Sequence, residues 1–217
     1  MRKTTCPLLI CLILMMVLML PPSILAKKWD IEADSVELTD GDIDRPYEIK
    51  EIVSFTLKRQ LAEESALEAR DRLKKTAADK GCDAVILVDH YTERDPTELF
   101  TNAVLVQSLD SAEIAERRKQ YGKVDEVREK VENKEIILSE KDINYPYKVK
   151  MIADVIVSEM DENTIKNVDG QLADLARKKR GHAVVHIKYD RAGTQVNGAK
   201  GVIVKFPRKW LKTGELD

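Results

Sequence analysis

Beyond the first twenty-six residues, the side chains best suited to ligation or nucleophilic chemistry are Cys82, His90, His182 and His186, beside many carboxylates. A zinc centre needs three or four nitrogen or sulfur donors converging from short spacings. On one extended strand His182 and His186 would stand about 13 Å apart, too far to share an ion. A nucleophile needs a base within hydrogen-bond reach. Cys82 and His90 form the nearest such pair, yet they fall at opposite ends of a predicted strand, roughly 25 Å apart. No Gly-x-Ser-x-Gly, phosphate-binding glycine loop or dinucleotide fingerprint occurs. The polar groups that recur are Asp42 and Asp44 beside Tyr47, and Asp142 and Asn144 beside Tyr147. They are the candidate site positions. The first reading is a turn shaped by side-chain to backbone bonds, with a calcium or ligand contact as the alternative. No catalytic residue and no cofactor are expected.

Those six positions belong to a repeat. Asp42-Ile43-Asp44-Arg45-Pro46-Tyr47-Glu48-Ile49-Lys50 returns as Asp142-Ile143-Asn144-Tyr145-Pro146-Tyr147-Lys148-Val149-Lys150. Upstream, Ile31, Glu32, Val36, Leu38 and Thr39 match Val131, Glu132, Ile136, Leu138 and Ser139. Downstream the offset falls by one: Leu73, Ala77, Ala84, Val85 and Ile86 match Leu172, Ala176, Ala183, Val184 and Val185. A slip of one residue between a strand and a helix is what a loop absorbs. The chain carries one unit twice.

Each copy predicts the same elements. Residues 31–38 and 131–138 read as short strands leading into a turn. Pro46 and Pro146 fix φ and bias their predecessors to extended geometry, so a strand starts there. Residues 48–57 and 148–157 alternate with period two and are rich in β-branched side chains, which predicts sheet. Over residues 62–80, Ala66, Ala69, Leu73 and Ala77 recur at helical spacing; Ile165, Val168, Leu172 and either Leu175 or Ala176 do the same in the second copy. Gly81 and Gly181 are the expected stop signals. Strands over 84–88 and 183–187 follow, then final strands over 103–106 and 201–206. The fold class expected is α+β: two tandem two-layer modules, each strand-strand-helix-strand-strand, with one helix on a mostly antiparallel sheet. The two sheets or the two helices should pack together as a pseudo-symmetric pair.

The Pro-Tyr-x-Ile/Val strand, the Ala-x3-Leu-x3-Ala helix and Gly81-Cys82-Asp83-Ala84-Val85-Ile86, with a closing Ala103-Val104-Leu105-Val106 strand, resemble the YbjQ-like family. That family is often called a putative heavy-metal-binding domain and is related to RcsF-type envelope modules. The resemblance covers most of residues 31–107 and, more weakly, 131–206. It implies the α+β module, metal binding by name, and assembly into rings. This chain departs from the pattern in lacking a glycine-rich segment after the first long strand, and in duplicating the module.

The ends complete the reading. Arg2 and Lys3 precede an apolar run to Leu20; Pro21 and Pro22 break it, and Ala26 offers a small residue before Lys27. This is the pattern of a secretory signal peptide cut after residue 26, with an uncleaved anchor as the alternative; Ile10 before Cys11 speaks against a lipoprotein signal. Residues 27–109 are then the first YbjQ-like module, 110–130 a charged, partly helical linker interrupted by Gly122, and 131–217 the second module. The whole chain has a net charge of −2, and the leader removes two cations and no acid. Interspersed charge gives no nucleic-acid footprint. Cys82 alone remains, so the fold stands on its apolar core; a buried thiol is expected, intermolecular pairing being the alternative. Trp210, in a basic tail, packs on the domain or meets an anionic surface. The expectation is a periplasmic or secreted, non-enzymatic binding or scaffold protein of the cell envelope, with an envelope protein or its own copies as partner. Nucleic acid and strong membrane binding after signal cleavage are not expected. The alternatives are metal sequestration through Cys82 and the histidines, and a weak hydrolase.

Overall fold

Apolar residues on both faces of the long strands oblige each sheet to be covered twice, and the architecture follows from that. The computed structural model describes residues 31–58, 62–92, 96–157, 164–193 and 195–215; the expected signal peptide lies outside the described residues. The first copy runs β1 (Glu37–Leu38), β2 (Tyr47–Lys58), α1 (Ala62–Asp79), β3 (Ala84–Tyr91) and β4 (Glu98–Ser108). Two helices intervene, α2 (Ser111–Gln120) and α3 (Val124–Glu132). The second copy repeats the order as β5 (Ile137–Leu138), β6 (Lys148–Ile156), α4 (Ile165–Lys178), β7 (Ala183–Ala192) and β8 (Gln195–Lys205), and α5 (Arg208–Thr213) follows.

Both sheets have the same strand order, β1-β3-β4-β2 and β5-β7-β8-β6. The long strands pair antiparallel, and each two-residue strand pairs parallel to its neighbour. Alternation then sorts the side chains. Val85, Val88, Ala103 and Leu105 face α1 with Leu73 and Ala77, while Val184, Ala199 and Ile203 face α4 with Val168 and Leu172. The opposite faces meet each other: Ile49, Ile86 and Val104 of one sheet share a buried cluster with Val149, Val185 and Val202 of the other. The layers are helix, sheet, sheet, helix, as the expected pairing of two copies requires. Polar bonds rim the joint, with Lys188 Nζ 3.0 Å from Glu51 and Lys200 Nζ 3.1 Å from the Ser54 hydroxyl.

Each of β3 and β7 carries a bulge at the same place. The register slips between Ile86 and Asp89 and between Val185 and Lys188, where Leu87 (φ 52°) and His186 (φ 53°) are left-handed. The extra residue keeps two successive side chains on one face. Ile86 and Leu87 both point into the central cluster, and Val88 returns to the helix side.

Several sequence expectations need correction. The strands over 31–38 and 131–138 shrink to two residues each. A 3-10 turn (Ala33–Ser35) occupies the first, and Val131 closes a helix whose apolar residues Val124, Val127 and Val131 recur at helical spacing. The charged segment is two helices, with Gly122 between them. An Asp110–Glu113 capping box starts α2, and Val127 of α3 is buried.

Gly181 is not the stop signal of its helix. The left-handed residue is Gly81 (φ 68°) after α1 but Arg180 (φ 56°) after α4. Gly181 is instead the counterpart of Cys82: both backbone amides donate to the helix, Cys82 N to Ala77 O and Gly181 N to Ala176 O, each at 2.8 Å. A Cβ on Gly181 would lie 2.3 Å from Ile203 Cγ2, so that glycine answers close packing. A non-glycine residue in the left-handed region costs about 1 kcal/mol. Arg180→Gly should therefore raise stability by up to about 1 kcal/mol, less the added freedom of the unfolded chain. Urea unfolding of the two proteins measures it.

Candidate functional site

The six recurring positions gather at the joint between the two copies. Asp42 accepts from its own neighbour, Ile43 N (2.9 Å), and from the Tyr47 hydroxyl (2.5 Å), both on Oδ1. Asp142 does the same with Ile143 N (2.8 Å) and the Tyr147 hydroxyl (2.6 Å). The carboxylate thus ties the turn before each long strand to the tyrosine that opens it. Burial, with the neighbouring carboxylate adding to it, pushes both hydroxyls far above the ordinary phenol range. They stay protonated and donate.

The second carboxylate oxygens break the symmetry. Asp42 Oδ2 reaches into the other copy and accepts from Val149 N at 3.2 Å. Asp142 Oδ2 pairs with the Arg117 guanidinium, which α2 brings across the joint. Asn144 contributes its backbone carbonyl, accepting from Gly122 N at 2.9 Å. A Cβ on Gly122 would sit 2.6 Å from the Tyr145 ring, so the break between α2 and α3 is where the chain passes closest to the turn. Asp44 is exposed, with Lys148 Nζ at 3.6 Å.

Together these groups line a cleft of about 480 Å³, walled by both Pro-Tyr segments and by Ile114, Arg117 and Tyr121 of the α2 region. Of the six positions, Asp42, Asp44, Tyr47 and Tyr147 face it directly; Asp142 and Asn144 hold its walls. Arg117 is the residue that the motif search missed. Its signal was present: the capping box at Asp110 and Glu113 fixes the helix start, and Ile114 with Tyr121 puts an apolar stripe beside the arginine.

Below the cleft, His186 takes the bulge position that Leu87 holds in the first copy. Its Nε2 is, among the described residues, the one buried side-chain nitrogen or oxygen without a hydrogen-bond partner. Burial lowers its pKa; Asp142 and Glu48 oppose this, while Arg117 and Lys188 add to it. An unsatisfied buried group costs about 1–3 kcal/mol, so His186→Leu should stabilise the fold by about 1–2 kcal/mol at neutral pH. The unfolded histidine binds a proton near pH 6.5 that the folded one resists. Its stabilising share is therefore present above that pH and lost as pH falls. The gap between variant and parent should widen on acidification, which urea unfolding at neutral and mildly acidic pH reads.

The remaining donors are dispersed. Cys82 lies in the core beneath α1, and burial pushes its thiol up to about 11. Native protein should therefore resist alkylation at neutral pH, whereas urea-unfolded protein should react at once. His90 Nδ1 lies 3.0 Å from the Thr101 hydroxyl, and His182 Nδ1 accepts from Phe206 N at 3.1 Å. No group of three or more His, Cys, Asp or Glu side chains comes together among the described residues. A protonated core thiol and an imidazole nitrogen already engaged do not fit a transition-metal centre.

No family model matches the chain, and no curated protein matches it. Among solved structures, the chain is similar to a protein of unknown function from Pediococcus pentosaceus ATCC 25745 that belongs to the DUF74 family. The two are 22% identical, the match covers 34% of this chain and 98% of that one, and the TM-score is 0.30.

Proposed function

We propose that the chain is a non-enzymatic binding or scaffold protein of the cell envelope, built from two YbjQ-like modules closed face to face. Its partner seats in the cleft over the joint. The observation that carries this reading is the convergence there of the same aspartate–tyrosine pair from each copy, with α2 laid across them. The carboxylates are spent on holding turns, and the tyrosines are held protonated. Neither is poised to take a proton or attack a substrate. What the cleft offers is shape: prolines and tyrosines on two sides, an apolar Ile114 and an arginine, which is the composition of a recognition surface. The resemblance to envelope modules and the leader-like first residues support the location. Among the described residues, no helix is long and apolar enough to cross a membrane.

The test is capture from envelope extract with residues 27–217 as bait, followed by cross-link mapping. A partner whose cross-links fall on the α2 side of the cleft, and which is lost with Ile114→Glu, supports the proposal. Cross-links elsewhere, or retention by Ile114→Glu, sink it.

A further inference from the structure

The two copies serve as controls for each other, and one region fails the comparison. In the first copy two lysines are neutralised: Lys50 Nζ lies 2.6 Å from Glu48, and Lys80 Nζ 2.5 Å from Glu51. The second copy keeps both lysines, as Lys150 and Lys179, but has Lys148 and Met151 where the carboxylates stood. The ladders extend the pattern. Glu48 stands opposite Gln107, and the equivalent pair is Lys148 opposite Lys205. Gly81 becomes Arg180, and Asp83, which in the first copy pairs with Arg45, becomes His182. Arg208, at the start of α5, adds another cation.

The result is a basic face whose central cations have no ion-pair partner. Among the described residues, none of Lys150, Arg180, Lys205 and Arg208 has a carboxylate within ion-pair distance. Lys150 donates instead to the backbone carbonyl of Lys179 at 3.3 Å. Desolvation, then the positive charges of Lys150, Arg208 and Arg180, hold the Lys205 ammonium below the ordinary lysine range. Lys205 lies where two grooves meet. One, of about 610 Å³, carries Lys148, Lys150 and Arg208; the other, of about 280 Å³, carries Arg177, Arg180 and His182. The carboxylates nearby are Asp42, Asp44 and Glu135, and the first two already hold Tyr47 and Lys148.

We propose that this face, centred on Lys205, binds the phosphoryl group of a ligand. Repulsion among crowded cations is relieved by an anion, and the number of donors sets which one. A phosphoryl group brings close to two negative charges and three acceptor oxygens, enough for two ammonium groups and a guanidinium at once; a single carboxylate is not. The backbone agrees. Arg180 holds the left-handed position that glycine fills in the other copy, so the second copy sets a guanidinium where the first has no side chain. The larger groove shares Asp42, Asp44 and Lys148 with the edge of the cleft, but Lys150, Arg180, Lys205 and Arg208 lie outside the cleft lining, so the proposal stands or falls on those four cations and not on the cleft reading.

The experiment is calorimetric titration of the full chain with inorganic pyrophosphate at low salt. Saturable one-to-one binding is expected, with log K falling linearly against log salt. Lys205→Gln should weaken it at least about tenfold, the worth of one charge-assisted bond. Arg180→Gly should weaken binding while leaving the fold as stable or more so, which separates lost affinity from lost structure. Lys50→Gln, the first-copy control, should leave binding unchanged. Co-sedimentation with phosphatidylcholine vesicles containing phosphatidic acid identifies the source. Vesicle binding that Lys205→Gln abolishes assigns a lipid headgroup; pyrophosphate binding without vesicle binding assigns a soluble phosphate ester. Absence of saturable binding overturns the proposal, as does equal weakening by Lys50→Gln, or tighter binding of a polyaspartate peptide than of pyrophosphate.

Discussion

Asp142→Ala should destabilise the protein by about 2–4 kcal/mol, and by about 1 kcal/mol more than Asp42→Ala, although the two aspartates occupy the same place in the repeat. Each carboxylate holds a turn amide and a tyrosine hydroxyl, and these losses are common to both variants. The difference lies in the third partner. Asp42 loses a bond to a neutral amide, Val149 N. Asp142 leaves behind the Arg117 guanidinium, and both members of that pair are only about a fifth exposed. Stranding a partly buried cation costs more than losing a neutral bond. The partial exposure keeps the figure below that of a fully buried pair. A cycle with Arg117→Met isolates this effect: the double variant should cost about 1–2 kcal/mol less than the sum of the singles. Hydrogen exchange adds a local reading, since α2 should lose protection in Asp142→Ala and keep it in Asp42→Ala. Equal destabilisation by both aspartates with no coupling to Arg117 would show that the ion pair contributes nothing.

That asymmetry also marks what the chain discloses in one dimension. Period-two and helical spacings report local burial, and the duplication let each copy check the other. So the order of elements within a copy and the two long helices are readable, while the order of strands across each sheet leaves no trace in the spacing. The short strands are shorter than the apolar pattern predicts because Val36 is apolar for the sake of the α1 core, not of a ladder. The same apolar pattern serves either use. Gly181 reads as a helix stop because glycine's two uses, left-handed backbone and close packing, look alike in sequence. Only the offset of ninety-nine, applied strictly, pairs Gly81 with Arg180. The cleft was half visible. Its aspartates and tyrosines repeat and so announce themselves, but Arg117 occurs once, in a segment whose charge reads as solvated surface. The bond from Asp42 to Val149 spans more than a hundred residues and leaves no periodic trace. The basic face is the reverse case. Every residue in it is visible in the sequence, but the clustering of cations shows only in the register of the strands, where Lys148 faces Lys205 while Glu48 faces Gln107.

Trp210→Ala should cost about 3–5 kcal/mol, among the largest single losses in the molecule, despite lying near the end of the chain. The sequence alone allowed a terminal tryptophan resting on the domain or turned toward an anionic surface. The structure places it in the central cluster, 3% exposed. Its ring lies 5.9 Å from Phe206 and 6.0 Å from Tyr145, so it ties the end of β8 to the turn that walls the cleft. Around it α5 is clamped to α3: Arg128 Nε donates to Leu211 O at 2.7 Å, and Gly214 N closes the helix on Trp210 O at 2.8 Å. A six-residue helix has almost no stability of its own, so α5 exists because Trp210 is buried. Without the indole, α5 should detach and Arg128 should lose its carbonyl partners. α3, whose one buried residue is Val127, should then open with it. Chemical denaturation gives the total, and limited trypsin digestion gives the place, since the freed segment is rich in lysine and arginine. Cleavage after Arg128, Lys130 or Lys209 should appear in the variant under conditions where the parent survives. A loss below about 1 kcal/mol with an unchanged digest would mean the tail merely rests on the domain. Trp210→Phe refines the argument. It keeps an aromatic ring in the cluster and should recover most of the stability together with the resistance of α3, because the claim rests on a filled site at that position rather than on the indole nitrogen.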